Sequence, residues 1–542
     1  MSMSFTSWEF WLLFACAFMA STWLHGARSK FAKTHAVRLR SGLLLAFSAG
    51  FYLLAAAPCA GILATSVLLN HGFGKLIHKL QGPARTWTTA LGVTLNVLGL
   101  AAFKYAFFID DTFGLELLTT GTFRLDAWML PLGISFFTFQ AISFLVDVHR
   151  RTLVTPPDLL SFATYLTFFP QLVAGPIVRA TSFLPQLASP IWNTAPSALK
   201  PFVILLVQGM VKKVLLGDVV GTWLVDPVFD DPGSTPAAWI MVALYGYSLQ
   251  VYADFSGYTD MAQGMAGLLG IHLPRNFNFP YRATSPGDFW RRWHMSLSQW
   301  WRDYVYIPLG GNRTFSVVTW GFLVGMLAWM GTTWASFGGW LVLAGVTMLA
   351  AAWGLMSATA QTRMATAANA MLVMLIGGLW HGAHVNFVTW GAINGAALVA
   401  WIVCSPSTQG FGRRALGWLF TFHVVVFSRI WFRAGSLVFW TPNDEATPPE
   451  GAWDTALQLW ANLTSPMLST SDFTVDATTW MALGLMVLGY LLHLMPSSAR
   501  TTWEAFVEKW PLWAFWGLWM ACAVLAVWGQ SGPSRPFIYW QF

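Results

Sequence analysis

The residues best suited to chemistry in this sequence are two histidines in unusual surroundings. The first is His381, and it belongs to a glycine-rich motif, Gly377-Gly378-Leu379-Trp380-His381-Gly382-Ala383. The motif lies in an apolar run from about residue 369 to residue 404. Ionisable side chains at membrane depth are rare, and they usually face a cavity or the interior of a helix bundle. His381 is therefore a candidate general base. The competing interpretation is a core histidine that is hydrogen-bonded to a neighbouring helix.

The second histidine, His294, belongs to a segment rich in tryptophan and arginine, Asp288-Phe289-Trp290-Arg291-Arg292-Trp293-His294. With an advance of about 100° per residue, one stripe about 100° wide contains Trp290, Trp293, Leu297, Trp300, Trp301 and Tyr304. The arginines of the segment lie elsewhere. The pattern predicts one amphipathic helix in the membrane interface. A purely structural anchor would explain the tryptophans and leave His294 unexplained. Arginines suit phosphate groups, so the segment is consistent with binding of a nucleotide-linked donor.

Other chemistries find little support in the sequence. His381 and His384 are spaced as i and i+3, but no acidic residue or third ligand lies nearby, so no metal site is predicted. Phosphate-binding glycine loops of the P-loop or dinucleotide type and the G-x-S-x-G nucleophile motif are absent. The two histidines and the arginines are compatible with group transfer at a membrane. They are also compatible with a proton-coupled transporter.

The composition predicts a polytopic, all-α membrane protein that holds these residues between helices. The 542 residues are 56% hydrophobic and only 10% charged, whereas soluble domains carry about 25% charged residues. The net charge of +7 is read as a topology signal and does not indicate nucleic acid binding. The four cysteines are scattered, so neither a disulfide framework nor a cysteine metal site is predicted.

About 12 to 14 apolar segments reach the length needed to span a bilayer. Clusters of Lys and Arg in two predicted loops, 28–40 and 75–85, and at 149–151 are expected in the cytoplasm, which places the N-terminus in the periplasm. The first segment, 8–25, follows no basic stretch, so we interpret it as a retained helix and not as a cleaved signal peptide. No separate soluble domain is evident, and the whole chain, 1–542, is predicted to form one membrane domain.

Several segments depart from simple spans. Residues 159–178 contain proline and glycine within an apolar run, which predicts a re-entrant segment. Residues 315–357 form an apolar pair that predicts a helical hairpin, and 369–404 predicts two segments or a bent one. The segment 441–475 begins with an acidic, proline-rich stretch and is predicted to be an external loop. Asp254 lies in the apolar run 237–270 and needs a partner or water.

A set of motifs spread along the chain carries a family resemblance. They occupy residues 103–105, 130–140, 168–177, 254–262, 276–281, 288–312, 378–383 and 536–542. Together they resemble the membrane-bound O-acyltransferase family, and within it the bacterial branch that O-acetylates exported polysaccharides such as alginate. The resemblance covers about 40–312 and 369–542. The apolar pair 315–357 is an insertion relative to that branch.

The resemblance implies a ring of tilted helices, with re-entrant and interfacial helices, around a central tunnel in the bacterial inner membrane. It implies transfer of an acetyl group from cytosolic acetyl-CoA, which is a substrate and not a bound cofactor. The acceptor would be an exported or cell-surface polysaccharide, reached directly or through a periplasmic acetyl-relay protein. His381 matches the histidine that the family treats as catalytic, and His294 matches a second histidine of this branch.

Donor or substrate binding is expected from the residues around these histidines and from one aspartate elsewhere. These residues are Trp290, Arg291, Arg292, Trp293, Arg302, Asp303, Trp380 and Asp254. Acetyl-CoA, the acceptor and membrane lipids are the expected partners. Two alternatives remain: a D-alanyl transferase of the teichoic-acid type, and a non-catalytic transporter or scaffold.

Overall fold

Helices account for all the regular structure in the part of the chain that the computed structural model describes. That part comprises residues 8–26, 30–113, 130–173, 175–189, 196–233, 235–321, 325, 357–404, 410–436, 451–464 and 476–529. Within it, six helical segments are long and apolar enough to cross a membrane, and three shorter apolar helices accompany them. The prediction of an all-α polytopic membrane protein is confirmed, and the ring and tunnel stay predictions. Most of the predicted hairpin 315–357 lies outside the described residues.

The chain folds into two compact units, and the first contains Met1–Asn278 and Ala461–Phe542. Up to Asn278 its helices are α1 Trp8–Gly26, α2 Lys30–Ala56, α3 Ala60–Lys79, α4 Gly82–Phe113, α5 Ile134–His149, α6 Leu159–Thr167, α7 Phe169–Leu172, α8 Ala180–Ala188, α9 Pro196–Val211, α10 Asp226–Asp230 and α11 Ala237–Leu268. Between α9 and α10 the chain winds as two π-helical segments, Lys212–Val219 and Gly221–Val225.

The second unit contains Phe279–Trp460. Its helices are α12 Pro286–Arg292, α13 Met295–Trp301, α14 Ala358–His381, α15 Val385–Cys404, α16 Phe411–Ser436 and most of α17 Ala452–Thr464. The first unit then ends with α18 Ala477–Leu494, α19 Ser497–Glu508 and α20 Leu512–Gly529. The predicted loop 441–475 thus contains α17, and its external location stays a prediction. The prediction that 1–542 forms a single membrane domain also stays a prediction.

The break predicted in 159–178 is present, because α6 ends at Thr167 and the chain runs without helix from 175 to 179. Buried hydrogen bonds satisfy the backbone there. The hydroxyl of Tyr165 donates to the carbonyl of Val178 at 2.9 Å, and the amide of Gln171 donates to the carbonyl of Tyr165 at 2.9 Å. Non-helical backbone in an apolar environment needs such protein partners. An uninterrupted span is therefore excluded, while re-entry into the membrane stays a prediction.

One arginine joins three helices of the first unit. Arg40 lies within α2, although we expected a loop at 28–40. Its guanidinium donates to the carbonyl of Gln186, in the last turn of α8, at 3.1 Å and to that of Ser189, just after α8, at 3.2 Å. It also donates to the carbonyls of Leu269 at 3.1 Å and Gly270 at 3.0 Å, just after α11. The last carbonyls of a helix have no partner within the helix, so Arg40 supplies donors to two helix ends at once.

We expect Arg40→Met to lower the unfolding temperature of the detergent-solubilised protein by at least about 2 °C, because hydrogen bonds from a charged donor contribute about 1.5–3 kcal/mol. Differential scanning fluorimetry measures this change. The matched control is Arg38→Met, because Arg38 is exposed on the same helix. Equal unfolding temperatures for the two variants would contradict the role given to Arg40.

Candidate active site

His381 lies at the turn of a helical hairpin. It is the last residue of α14, the chain bends at Gly382, and α15 begins at Val385. Two segments or a bent one were predicted for 369–404, and the structure has two helices there. A Cβ atom on Gly382 would overlap the ring of Phe387, so glycine at this position lets that ring pack against the bend. The histidine is therefore held at a helix end and not in the middle of a continuous span.

Glycines bring the two helices of the hairpin into close contact. A Cβ atom on Gly378 would overlap the carbonyl of Phe387, and one on Gly391 would overlap the carbonyl of Met374. Small residues at helix contacts allow such close approach of two backbones in membranes. On α15, the amide of Asn394 donates to the hydroxyl of Ser428 on α16 at 3.1 Å. Gly378, two residues before Trp380, thus serves the packing of the two backbones.

Three aromatic rings surround the imidazole of His381. The ring centroids of Trp380, Trp390 and Phe432 lie 4.8, 4.9 and 5.2 Å from that of His381, all with edge-to-face geometry. Only 6% of His381 is exposed. Edge-to-face contacts fix the plane of a ring, and burial among apolar rings excludes bulk water. The imidazole therefore has one orientation in a largely dry site.

The structure shows that the predicted single helix over 288–304 is wrong. Helix α12 ends at Arg292 and α13 begins at Met295, with His294 between them in the left-handed region at φ 43°. Such a conformation costs a non-glycine residue about 1–3 kcal/mol and persists only where surrounding contacts hold it. The ring of Trp293, stacked on Phe289 at 5.6 Å, supplies such a contact.

The kink brings His294 to a cavity that His381 also lines. The cavity has a volume of about 190 Å³, and His294 is 2% exposed. Its walls come mainly from two parts of the second unit. The first part contributes Trp290, Trp293, His294, Leu297, Trp301 and Arg302. The second contributes Ala370, Val373, Met374, Gly377, His381 and Trp390. The cavity is therefore largely aromatic and apolar, and its polar groups are two imidazoles, one guanidinium and the hydroxyls of Ser298 and Tyr306.

Most of the residues predicted for donor binding lie at or beside this cavity. Trp290, Trp293 and Arg302 line it, and Trp380 contacts His381. Asp303 accepts a hydrogen bond from the Nε of Arg302 at 2.7 Å. The side chain of Arg302 is 59% exposed, so solvent reaches this ion pair at the edge of the cavity.

Two of the predicted arginines are not lining residues. The Nε of Arg292 forms an ion pair with Asp288 at 2.9 Å, and the side chain of Arg291 is 73% exposed. One charge thus has a carboxylate partner and the other is largely hydrated, as charged side chains require. Their role in donor binding stays a prediction.

Asp254 lies in the first unit and is not a lining residue of the cavity. Its carboxylate contacts the Nζ of Lys213 at 2.6 Å, and the same Nζ contacts Asp218 at 2.8 Å. Lys213 and Asp254 are buried, and buried charges need such partners. The ion pair joins the π-helical segment to α11. Its predicted part in substrate binding stays a prediction.

Three residues at the site were not predicted. Trp390 and Phe432 contact His381. The third residue, Arg429, is 2% exposed, and its guanidinium lies 5.0 Å from the ring centroid of Trp293 and 5.2 Å from that of Phe432. A cation over an aromatic face is stabilised by the ring quadrupole. Arg429 lies in an apolar segment, and the criterion that selected His381, an ionisable residue at membrane depth, would have selected it as well.

Burial also determines the charge of His294. This residue lies between α12 and α13, and neither helix belongs to a candidate membrane span. Burial lowers the pKa of His294 to about 3, because an imidazolium loses its hydration in this site. His294 is therefore neutral at physiological pH, with one ring nitrogen as a donor and one as an acceptor.

Among the described residues, no group of three or more His, Cys, Asp or Glu side chains could hold a metal ion.

Comparisons with known proteins agree with the motifs in the chain. The family model described as MBOAT, membrane-bound O-acyltransferase family, matches residues 80–328, a range that includes His294 and ends before His381. A probable alginate O-acetylase AlgI from Azotobacter vinelandii is 33% identical over 449 residues, which cover 80% of this chain and 76% of that protein. A peptidoglycan O-acetyltransferase from Helicobacter pylori is 32% identical over 69% of this chain and 67% of that protein. A teichoic acid D-alanyltransferase from Bacillus subtilis is 32% identical, over 32% of this chain and 45% of that protein.

The depressed pKa predicts a pH-dependent stability. An unfolded histidine has a pKa of about 6.5, so below that pH the unfolded state binds a proton that folded His294 does not. Its contribution to stability is complete above about pH 6.5 and falls by about 1.4 kcal/mol per pH unit as the pH decreases toward 3. We therefore expect the difference in unfolding temperature between wild type and His294→Gln to shrink between pH 7 and pH 5.

Thermal unfolding in detergent across this pH range measures the difference. His272→Gln is the control, because His272 is exposed. A difference between wild type and His294→Gln that stays constant across this range would show that folded His294 titrates normally.

Proposed function

Because the chain belongs to the membrane-bound O-acyltransferase family, we propose that it is an O-acetyltransferase for an exported or cell-surface polysaccharide. Membership makes the chain an integral membrane acyltransferase. The observation that carries the proposal is the aromatic cavity that both histidines line, since it offers a general base beside space for a small acyl group. The names of the alginate and peptidoglycan relatives support a glycan acceptor.

The proposed donor is acetyl-CoA, which reaches the site from the cytosol, with the acceptor on the periplasmic side of a bacterial inner membrane. The basic clusters of the sequence support this orientation and a periplasmic N-terminus. Arg302 suits a phosphate-bearing donor, because a guanidinium binds phosphate oxygens in two hydrogen bonds. Its ion pair with Asp303 holds it at the exposed side of the cavity.

In the proposed reaction, His381 accepts the proton of the acceptor hydroxyl as the hydroxyl oxygen attacks the thioester carbonyl carbon. The new C–O bond forms, the C–S bond breaks, and His381 returns the proton to the departing thiolate. The products are an ester and a thiol. His294 is neutral, so it would position the acceptor or the carbonyl by hydrogen bonding and would not supply a positive charge. The aromatic rings around His381 would limit hydrolysis of the thioester by water.

The acceptor is proposed to be the polysaccharide itself or a periplasmic protein that relays the acetyl group. A D-alanyl transferase is the second candidate, because the chain also matches part of a teichoic acid D-alanyltransferase. That reaction would use the same histidine chemistry with a D-alanyl thioester. The identity of the donor therefore separates the two candidates.

We expect His381→Ala to reduce acetyl transfer by about 10²- to 10⁴-fold, because this is the usual contribution of a general base. The measurement uses protein in nanodiscs, acetyl-CoA labelled in the acetyl group, and capture of labelled acetate or ester. His294→Ala is expected to reduce transfer as well. The matched control, His384→Asn, should retain wild-type activity, because His384 is not a lining residue and asparagine can still accept from the backbone at the start of α15.

Wild-type activity in both His381→Ala and His294→Ala would contradict the proposed mechanism. If the wild-type protein is inactive with acetyl-CoA but transfers D-alanine from a carrier-bound thioester, the second candidate is favoured. A wild type that transfers neither group, with or without added acceptor, would favour a scaffold or transporter.

A further inference from the structure

One wall of the cavity is a single face of α14. Its lining residues Ala370, Val373, Met374 and Gly377 are spaced by three or four positions and lead to His381, one turn beyond Gly377. Residues at this spacing lie on one side of a helix. The wall therefore presents small or flexible apolar groups next to the proposed base, whereas the other wall consists largely of tryptophan rings.

Two adjacent glycines on α14 have opposite surroundings. A Cβ atom on Gly378 would overlap the carbonyl of Phe387, so helix packing requires glycine there. A Cβ atom on Gly377 would meet no atom within 4 Å, although Gly377 lines the cavity. Packing therefore does not require a glycine at 377. Its structural effect is open space on the cavity wall, one helical turn before His381.

We propose that Gly377 and Met374 determine the size of the acyl group that the enzyme transfers. The alkyl end of the acyl group lies against Gly377, and its carbonyl carbon lies toward His381. This inference rests on the proposed function, and it extends that function by naming the two residues that limit the donors to thioesters of short acyl groups. The volume of about 190 Å³ supports this class, because sites for drug-sized ligands measure about 300–1,000 Å³.

Neighbouring rings restrict how this space can adjust. Trp390, which lines the same cavity, has its ring centroid 5.8 Å from that of Trp290 and 4.9 Å from that of His381. Movement of Trp390 would therefore disturb the ring on which the chemistry depends. The flexible side chain of Met374 is the more adaptable lining group. A change of volume at 374 or 377 is thus expected to alter acyl preference before it alters the fold.

The test compares acetyl-CoA, propionyl-CoA and butyryl-CoA as donors for the same protein in nanodiscs. Gly377→Val fills the open space, so the ratio of kcat/KM for acetyl over propionyl should rise by about 10-fold or more, since one methylene in an apolar pocket changes discrimination by about 10- to 200-fold. Met374→Ala enlarges the cavity, so the same ratio should fall. Gly377→Ala should give a smaller rise than Gly377→Val.

The matched control is Gly378→Ala, one residue away on the packed side of α14. It should lower the unfolding temperature and reduce transfer of all three acyl groups in the same proportion. Gly377→Ala should keep or raise the unfolding temperature, because alanine is more favourable than glycine within a helix. The two alanine variants thus separate a loss of packing from a change in cavity size.

Acyl preferences equal to wild type in both Gly377→Val and Met374→Ala, with normal unfolding temperatures, would overturn the assignment while leaving the proposed function intact. A wild type that transfers none of the three acyl groups would instead refute the proposed function, and this inference would fall with it.

Discussion

The close contact between α14 and α15 is the constraint on which the candidate site depends. The carbonyl of Phe387 occupies the position that a side chain at Gly378 would take. With the helices this near, Trp390 on α15 reaches the imidazole of His381 on α14. A larger residue at position 378 would separate α14 from α15 and move Trp390 away from the imidazole of His381. The glycines therefore contribute to chemistry through packing, since they determine where aromatic surfaces can meet the histidine.

Buried charges are stabilised differently in the two units. In the first unit, Lys213 lies between two carboxylates and ties the π-helical segment to α11. In the second, Arg429 lies over the rings of Trp293 and Phe432, and these rings belong to the surroundings of the two histidines. A guanidinium between two aromatic faces restrains both of them. The ion pairs of Lys213 thus support a fold element, whereas the charge of Arg429 orders the walls of the candidate site.

The sequence singled out His381 as a candidate, and it predicted an interruption or bend within 369–404 and the irregular backbone after α6, because each leaves a local signal. An imidazole is unusual in an apolar segment, and proline or glycine is unusual inside a segment that is otherwise apolar enough to cross a membrane as a helix. The kink at His294 left no such signal. The aromatic spacing over 288–304 is that of one continuous helix, and it gives no sign of the left-handed backbone at His294. Trp390 and Phe432 escaped prediction because their roles come from contacts between helices distant in sequence.

The central claim is that the cavity beside His381 and Gly377 holds the acyl group during transfer. The most direct test is a cryo-electron microscopy structure of the protein in nanodiscs with a non-hydrolysable thioether analogue of acetyl-CoA. Our account predicts that the methyl group of the analogue lies against Gly377 and that its carbonyl carbon faces His381. An acceptor hydroxyl placed about 2.6–3.2 Å from a ring nitrogen of His381 should then be able to attack that carbon. An analogue whose acetyl group lies elsewhere, for example in the first unit near Asp254, with this cavity empty of it, would contradict the account.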